Sequence, residues 1–306
     1  MATTTSTLTA PASGGRADHP VRTGGRTGDG GVRPRLPRAV GFAALAVLAV
    51  LWVLPLVWAV VTALKSEAQA AALPLRWIPE GGFTLESFRT VLTSSNLPLW
   101  MLNSALTSVV ITAVTVIISA MAAYGFSRTS FRGRKVLFAL TIAAIMVPPQ
   151  ILIVPLFREM LALRLVDTYW GIILPQLVAP VMVFVLKNFF DAIPVELEEA
   201  ARVDGAGPFR IFWQIVMPLS RSVLAAVSIF VFIGAWNNFL WPFIVVNDPE
   251  LMTMPVGLAT VRNAFGVTFA ADMAGATIAA LPLLIVFMLF QRQIIKGVAT
   301  TGLGGQ

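Results

Sequence analysis

Lys187-Asn188-Phe189-Phe190-Asp191-Ala192-Ile193-Pro194-Val195-Glu196-Leu197-Glu198-Glu199-Ala200-Ala201-Arg202-Val203-Asp204-Gly205-Ala206-Gly207-Pro208, running on through Met217-Pro218 to Arg221, is the one long polar segment in the second half of a very hydrophobic chain. It reads as two short helices around a tight break. Pro194 suits a first helical turn, where its missing N–H is unpaired anyway. Glu196, Glu198 and Glu199 crowd that turn, where the positive end of the helix dipole favours them. Asp204-Gly205-Ala206-Gly207 stops the helix, since Gly takes the left-handed conformation a C-cap needs. Pro208 opens a second helix, expected over Phe209 to Val216, and Pro218 closes it. Such a break between apolar runs suits a docking element; an ordinary interfacial connector has the same composition.

Outside this segment the chain is built for lipid. Of 306 residues, 57% are hydrophobic and 12% charged, against about 25% charged in a soluble domain. There is no Cys and a single His, His19. That leaves no disulfide or Cys-based metal site and little from which to assemble a Ser-His pair. The expectation is therefore no catalytic residue, no metal ligand and no cofactor held by this chain.

Six spans are expected, at about 39–64, 102–126, 136–157, 169–186, 222–247 and 273–290, since about 20 apolar residues cross a bilayer. Ala39–Leu64 and Ser222–Asn247 are 26-residue runs without a charge. The first exceeds the roughly 7–15 residues of a signal-peptide core and reads as an uncleaved span. Pro148-Pro149 and Pro155 interrupt the third span, and Pro175 and Pro180 the fourth. The carbonyls they free must be satisfied by protein or water. Residues 1–38 hold six Arg and few large apolar side chains, and read as a disordered tail. That tail is an orientation signal or a contact with anionic membrane lipid. Residues 298–306 form a short Gly-rich tail. The net charge of +7 is distributed as a membrane protein's would be and indicates no nucleic-acid partner.

Sixteen of the 22 Lys and Arg fall in the tail, 127–135, 187–221 and 291–306. The positive-inside rule then puts both termini and the 187–221 segment in the cytoplasm. Trp58, Trp100, Trp170 and Trp241 fall near the outer ends of spans, as an interfacial belt would. No Asp, Glu, Lys, Arg or His lies inside any expected span, which argues against a proton relay. No Gly-x-x-x-x-Gly-Lys-Ser/Thr loop is present, so a pump would draw its energy from another subunit.

Two sets of residues are candidate solute contacts. Ser104, Ser108, Thr112, Thr115 and Ser119 share one helix face, which suits close packing by small residues or a hydroxyl-lined pathway. Trp236, Asn237 and Asn238 place amides beside an aromatic inside the fifth span. Such groups suit sugar hydroxyls and ring faces, and equally inter-helix hydrogen bonds.

Glu199-Ala200-Ala201, with Gly205 four residues after Ala201 and then Ile215 and Pro218, resembles the EAA loop of ABC-importer permeases. Asp204-Gly205-Ala206 fits its extended form; Met217 stands where Leu is usual. Val147-Pro148-Pro149-Gln150, Ile153 to Phe157, Asp167-Thr168-Tyr169-Trp170, Trp236 to Pro242, Thr253 to Leu258, Trp77-Ile78-Pro79 and Asn103-Ser104 look like carbohydrate permeases of the maltose-importer class. The likeness covers roughly 39–297 and is to the shorter second permease of the pair. It implies an all-α type I importer fold in the bacterial inner membrane. It also implies a pore shared with a second homologous permease, two cytoplasmic ATPase subunits carrying ATP and Mg, an extracytoplasmic solute-binding protein and a sugar substrate. Glu199, Ala200, Ala201, Asp204, Gly205, Ala206, Ile215 and Pro218 would form the ATPase-coupling site. Gly205→Asp is expected to uncouple the complex through a clash at the left-handed turn. The tail lacks a Lys after Lys296, which puts a regulatory contact by that end in doubt. The rivals are a self-contained carrier or channel, which would need an ion site such as backbone carbonyls give sodium, and an intramembrane enzyme, whose Ser108 or Ser119 would lack an activating base.

Overall fold

The computed structural model describes residues 38–265 and 268–303, and helices are its only regular elements among these residues. The expected tail over 1–37, with His19, lies outside them, as do 304–306. The chain divides into two compact units, Met1–Leu51 and Trp52–Gln306.

The helix α1 (Arg38–Ala63) carries Pro55 inside it. From Val40 to Val57 its side chains stay exposed, as a lipid-facing span requires. Two short helices follow, α2 (Glu67–Ala71) and α3 (Glu86–Ser94). The helix α4 (Leu97–Arg128) runs 32 residues with its one proline confined to the first turn, where the ring does no damage. It spans about 48 Å at 1.5 Å per residue, and packs against α8 and α12.

Then come three interrupted stretches. The helix α5 (Arg134–Ile145) meets a 3₁₀ turn at Pro149–Leu152 and α6 (Ile153–Ala162) at a 95° bend. The cause is Pro148-Pro149: a residue before proline is pushed out of the helical region, and Pro148 sits at ψ 127°. The expected third span is therefore two helices at nearly a right angle. The helix α7 (Tyr169–Ile173) and a 3₁₀ turn, Leu174–Gln176, precede α8 (Pro180–Asp191), bent by 47°. Beyond residues 196–219, which form three further short helices, α9 to α11, α12 (Arg221–Trp236) stops eleven residues short of the expected 247. Asn237 is its C-cap, and the Nδ2 group donates to the Ile233 carbonyl at 2.9 Å, one turn back. The remainder is a separate helix, α13 (Leu240–Val245). An uncharged run is thus not one helix. Finally α14 (Met254–Phe265) precedes α15 (Phe269–Leu303), which continues through much of the expected 298–306 tail.

Two apolar clusters anchor α4 at its ends. One gathers Tyr124, Leu186, Phe190, Ile193, Ile211, Phe212 and Val216. The other gathers Leu97, Trp100, Met160, Trp241, Met252 and Met254. Trp100 and Trp241 are buried there, so the interfacial belt expected of them is not what they form; Trp170 alone of the four is exposed.

The second cluster is tied by hydrogen bonds. Trp100 Nε1 donates to the Pro249 carbonyl at 2.7 Å. Asn103 Nδ2 donates to the carbonyls of Glu250 and Met252 at 2.7 and 2.9 Å, and its Oδ1 accepts from the Tyr169 hydroxyl at 2.7 Å. Ser104 Oγ accepts from Met254 N–H at 2.7 Å. Asp167 accepts from the backbone N–H groups of Asn247 and Asp248. Motifs scattered over 150 residues of sequence converge on this one knot.

Candidate functional site

The 187–221 segment is α9 (Glu196–Val203), a break, and a second helical piece. That piece joins α10 (Pro208–Ile211), a π turn at Phe212–Val216 and α11 (Met217–Leu219). Pro218 explains the π turn. A proline ring clashes with the carbonyl four residues back, and widening the preceding turn relieves it; Met217 N–H accordingly donates to the Phe212 carbonyl, five residues back. The helix runs one residue past Pro218 rather than ending there. Lys187–Asp191 belongs to α8, and α9 begins after Pro194 rather than at it.

Gly205 sits at φ +81°. Ala206 N–H returns to the Ala201 carbonyl at 2.9 Å and Gly205 N–H to Arg202 at 3.0 Å, closing α9 around a left-handed residue as a Schellman-type end does. No atom lies within 4 Å of where a Cβ would stand. The clash expected for Gly205→Asp therefore has no counterpart in this chain. What remains is the backbone cost of a positive φ, which Asp tolerates better than most residues.

One face of the segment joins the first apolar cluster, with Ala201, Ala206, Ile215 and Met217 packed on it. The other face is open: Glu199, Ala200, Asp204, Gly205 and Pro208 are exposed, as are Leu197, Val203 and Phe209. A shallow hollow between Ala201, Asp204, Ala206, Arg210, Gln214 and Ile215 lies on the segment itself.

The buried charge of this segment is Glu198, expected only as one of three acids at the positive end of a helix. Its carboxylate is 2% exposed and meets Arg128 Nε at 2.8 Å, off the hydrogen-bond axis. Arg202, more than half exposed, stands 3.5 Å away on the same helix. Arg128 closes α4 and also donates to the carbonyls of Phe190, in the last turn of α8, and Ile193, just beyond it. One guanidinium thus joins the end of α4, the end of α8 and the first helix of the loop. The sequence held a partial signal: Glu198 stands three residues before Ala201, on the same helix face.

The second candidate site lies at the interruptions. Pro149, Gln150, Ile153, Leu156, Pro175, Gln176, Asn238, Leu240 and Trp241 line a cleft of about 210 Å³. Asn238 Nδ2 donates to Gln176 Oε1 at 2.6 Å. Asn237 lies exposed beside it, and Trp236 is buried, its Nε1 donating to the Ala279 carbonyl at 3.2 Å. Ser108 is fully buried within α4's packing, and the partly buried Thr112 donates back to the Ser108 carbonyl at 2.6 Å. The structure brings Asn238 to the cleft and leaves Trp236, Ser108 and Thr112 out of its lining.

The family model for the binding-protein-dependent transport system inner membrane component matches residues 115–300. The chain belongs to that family. This inner membrane component is similar to an arabinooligosaccharides transport system permease protein of Halalkalibacterium halodurans, 36% identical over 267 residues, 87% of this chain and 95% of the relative. It is also similar to a lactose transport system permease protein of Rhizobium radiobacter, 31% identical over 87% of this chain and 96% of the relative. Among solved structures it superposes on a bacterial ABC transporter involved in the import of the acidic polysaccharide alginate. The TM-score is 0.75 at 20% identity, covering 83% of this chain and 95% of that one. The inner membrane component thus has the ABC-importer permease fold and is a multi-pass membrane subunit of such an importer.

Proposed function

We propose that this chain moves a sugar or oligosaccharide across the membrane as one of two different permeases. An extracytoplasmic binding protein delivers the solute, and two ATPase subunits holding ATP and Mg dock at α9–α11. The names of its relatives, from arabinooligosaccharide to lactose systems, support the sugar class. The observation that carries the docking assignment is the division of α9–α11 into two faces. One is locked to α4 and α8 through Arg128 and the apolar cluster, and the other presents Glu199, Asp204 and Gly205 outward. A segment fixed on one side and open on the other transmits a push rather than absorbing it. The arginines and lysines around α9–α11 and residues 127–135 support placing this face, and both termini, in the cytoplasm. ATP hydrolysis falls to the partners.

The test is a pull-down of tagged protein from native membranes in mild detergent, with mass spectrometry of the chains that co-elute. A P-loop ATPase and a second multi-span permease are expected with the wild type. The ATPase is expected to fall away when Gly205 is replaced by Asp, whose side chain points into the open face. A protein that elutes alone and still transports would instead establish a self-contained carrier.

A further inference from the structure

We propose that the hollow beside Lys65 is a headgroup site for one anionic phospholipid. Lys65 stands two residues past the end of α1 and is 2% exposed. Its Nζ donates to the Arg76 carbonyl at 2.5 Å and lies 4.6 Å from the centre of the Trp58 ring. Neither partner is an anion, and no carboxylate forms an ion pair with Lys65 among the described residues. A buried charge without a counter-charge is costly, and an ammonium carries three donors, so Lys65 keeps donors and charge for an anion from outside the chain. The hollow it lines is also walled by Gln69, Leu73, Pro74, Arg76 and Glu80. Arg76 pairs with Glu80 there. Two cations against one acid leave a single positive charge, which one phosphodiester balances, and a guanidinium is well shaped for phosphate oxygens. The rim selects the lipid form of phosphate. Leu73 is exposed, and so are its sequence neighbours Leu75 and Ile78. Bare apolar side chains beside a cationic hollow match a molecule that is acidic at one end and apolar at the other. Trp58 and Trp77 pack edge to face with ring centres 4.7 Å apart, and tryptophan marks the boundary between membrane and water. At about 160 Å³ the hollow is smaller than the ~300–1,000 Å³ of a small-molecule site. It admits the phosphate end of a lipid and leaves the acyl chains outside, against the apolar rim.

The test places the assembled complex in phosphatidylcholine nanodiscs doped with phosphatidylglycerol that carries a diazirine on its acyl chain. After irradiation the labelled peptides are mapped by mass spectrometry. Adducts are expected on residues 72–78, and unlabelled phosphatidylglycerol in about tenfold excess should reduce them about tenfold. Inorganic phosphate should leave them unchanged. Phosphatidylcholine carrying the same diazirine should mark 72–78 several-fold less, while both lipids mark residues 40–57 of α1 alike. Arg76→Gln and Lys65→Met are each expected to lower the adducts on 72–78 about tenfold, the scale of one hydrogen bond to a charged group. Arg76 has a half-exposed side chain, so its variant keeps the test decisive even where Lys65→Met fails to assemble. Equal marking by the two lipids, or full marking of Arg76→Gln, overturns the headgroup site. Suppression by inorganic phosphate makes it a site for a soluble anion and overturns the lipid. Absence of adducts from 72–78, with those residues protected from hydrogen exchange when binding protein is added, assigns the loop to that protein and overturns the proposal.

Discussion

At the residue scale, the charge that holds α9 in place is Glu198, next to Glu199, the acid expected to meet the ATPase. Breaking a buried ion pair by removing one partner costs about 3–5 kcal/mol, because the other charge stays buried alone. Arg128→Leu is therefore expected to lower the melting temperature of the purified complex sharply, with Arg202 too exposed to compensate. Arg128→Leu combined with Glu198→Leu should lose less than Arg128→Leu alone. A double variant no better than the single would mean that Arg128 acts through the Phe190 and Ile193 carbonyls instead. Glu199→Ala should leave that melting temperature nearly unchanged, since surface changes usually alter stability by no more than about 0.5 kcal/mol, while weakening ATPase retention in the pull-down. The sequence showed three glutamates in one turn, but the pairing with Arg128 is a contact across 70 residues that periodicity does not reveal. Asp167 gives a pH signature. Burial pushes its pKa up, but the N–H groups of Asn247 and Asp248 and the Asn247 amide outweigh this and hold it below 3.8. Its contribution is present above pH 3.8 and is lost as pH falls through the lower folded value. Hydrogen exchange in residues 246–254 should therefore be pH-insensitive in protection near neutrality and lose protection only in strong acid. Asp167→Asn should lower that protection near neutrality and remove the loss in strong acid.

At the element scale, proline placement was legible in the sequence and helix continuity was not. Pro148-Pro149, Pro175 and Pro180 mark real interruptions, whereas the end of α12 at Trp236 falls within an uncharged run whose composition does not announce it. The short helices pack as tightly as long ones. A Cβ on Gly171 in α7 would stand 2.1 Å from the Leu165 carbonyl oxygen, which is backbone and has little room to move. Gly171→Ala is expected to cost at least the ~1–3 kcal/mol of an overpacked core, read as a lower melting temperature of the complex. The same change at Gly205, where no atom is near, should cost only the backbone strain of a positive φ. Equal losses at the two positions would contradict the packing described for α7.

At the scale of the whole molecule, α4 connects the knot at Trp100–Ser104 to the Arg128 clamp, so the loop and the far end of the spans share one strut. The open face of α9–α11 carries Val203 and Phe209, 88% and 69% exposed. Val203→Glu and Phe209→Ser are expected to release the ATPase from the complex without lowering the melting temperature of the permease. Retention of the ATPase by both would move the docking surface elsewhere. Fold class and the polar segment were readable from hydropathy and spacing, because lipid imposes strict rules on composition. The cleft was not, because its walls come from three distant segments. Those segments also share a chemical debt. Pro175 cannot donate to the Gly171 carbonyl, which Trp241 satisfies instead. The Gln176 carbonyl accepts from the Thr115 hydroxyl at 3.5 Å. A bare carbonyl in hydrocarbon costs several kcal/mol, and its rescuer at Trp241 is synthesised 70 residues later. During biogenesis the middle helices therefore cannot settle one by one as they leave the ribosome. They must wait at the insertion machinery, or in contact with water, until residues near 241 arrive, so a chain truncated before that point should be recognised as unfinished and degraded.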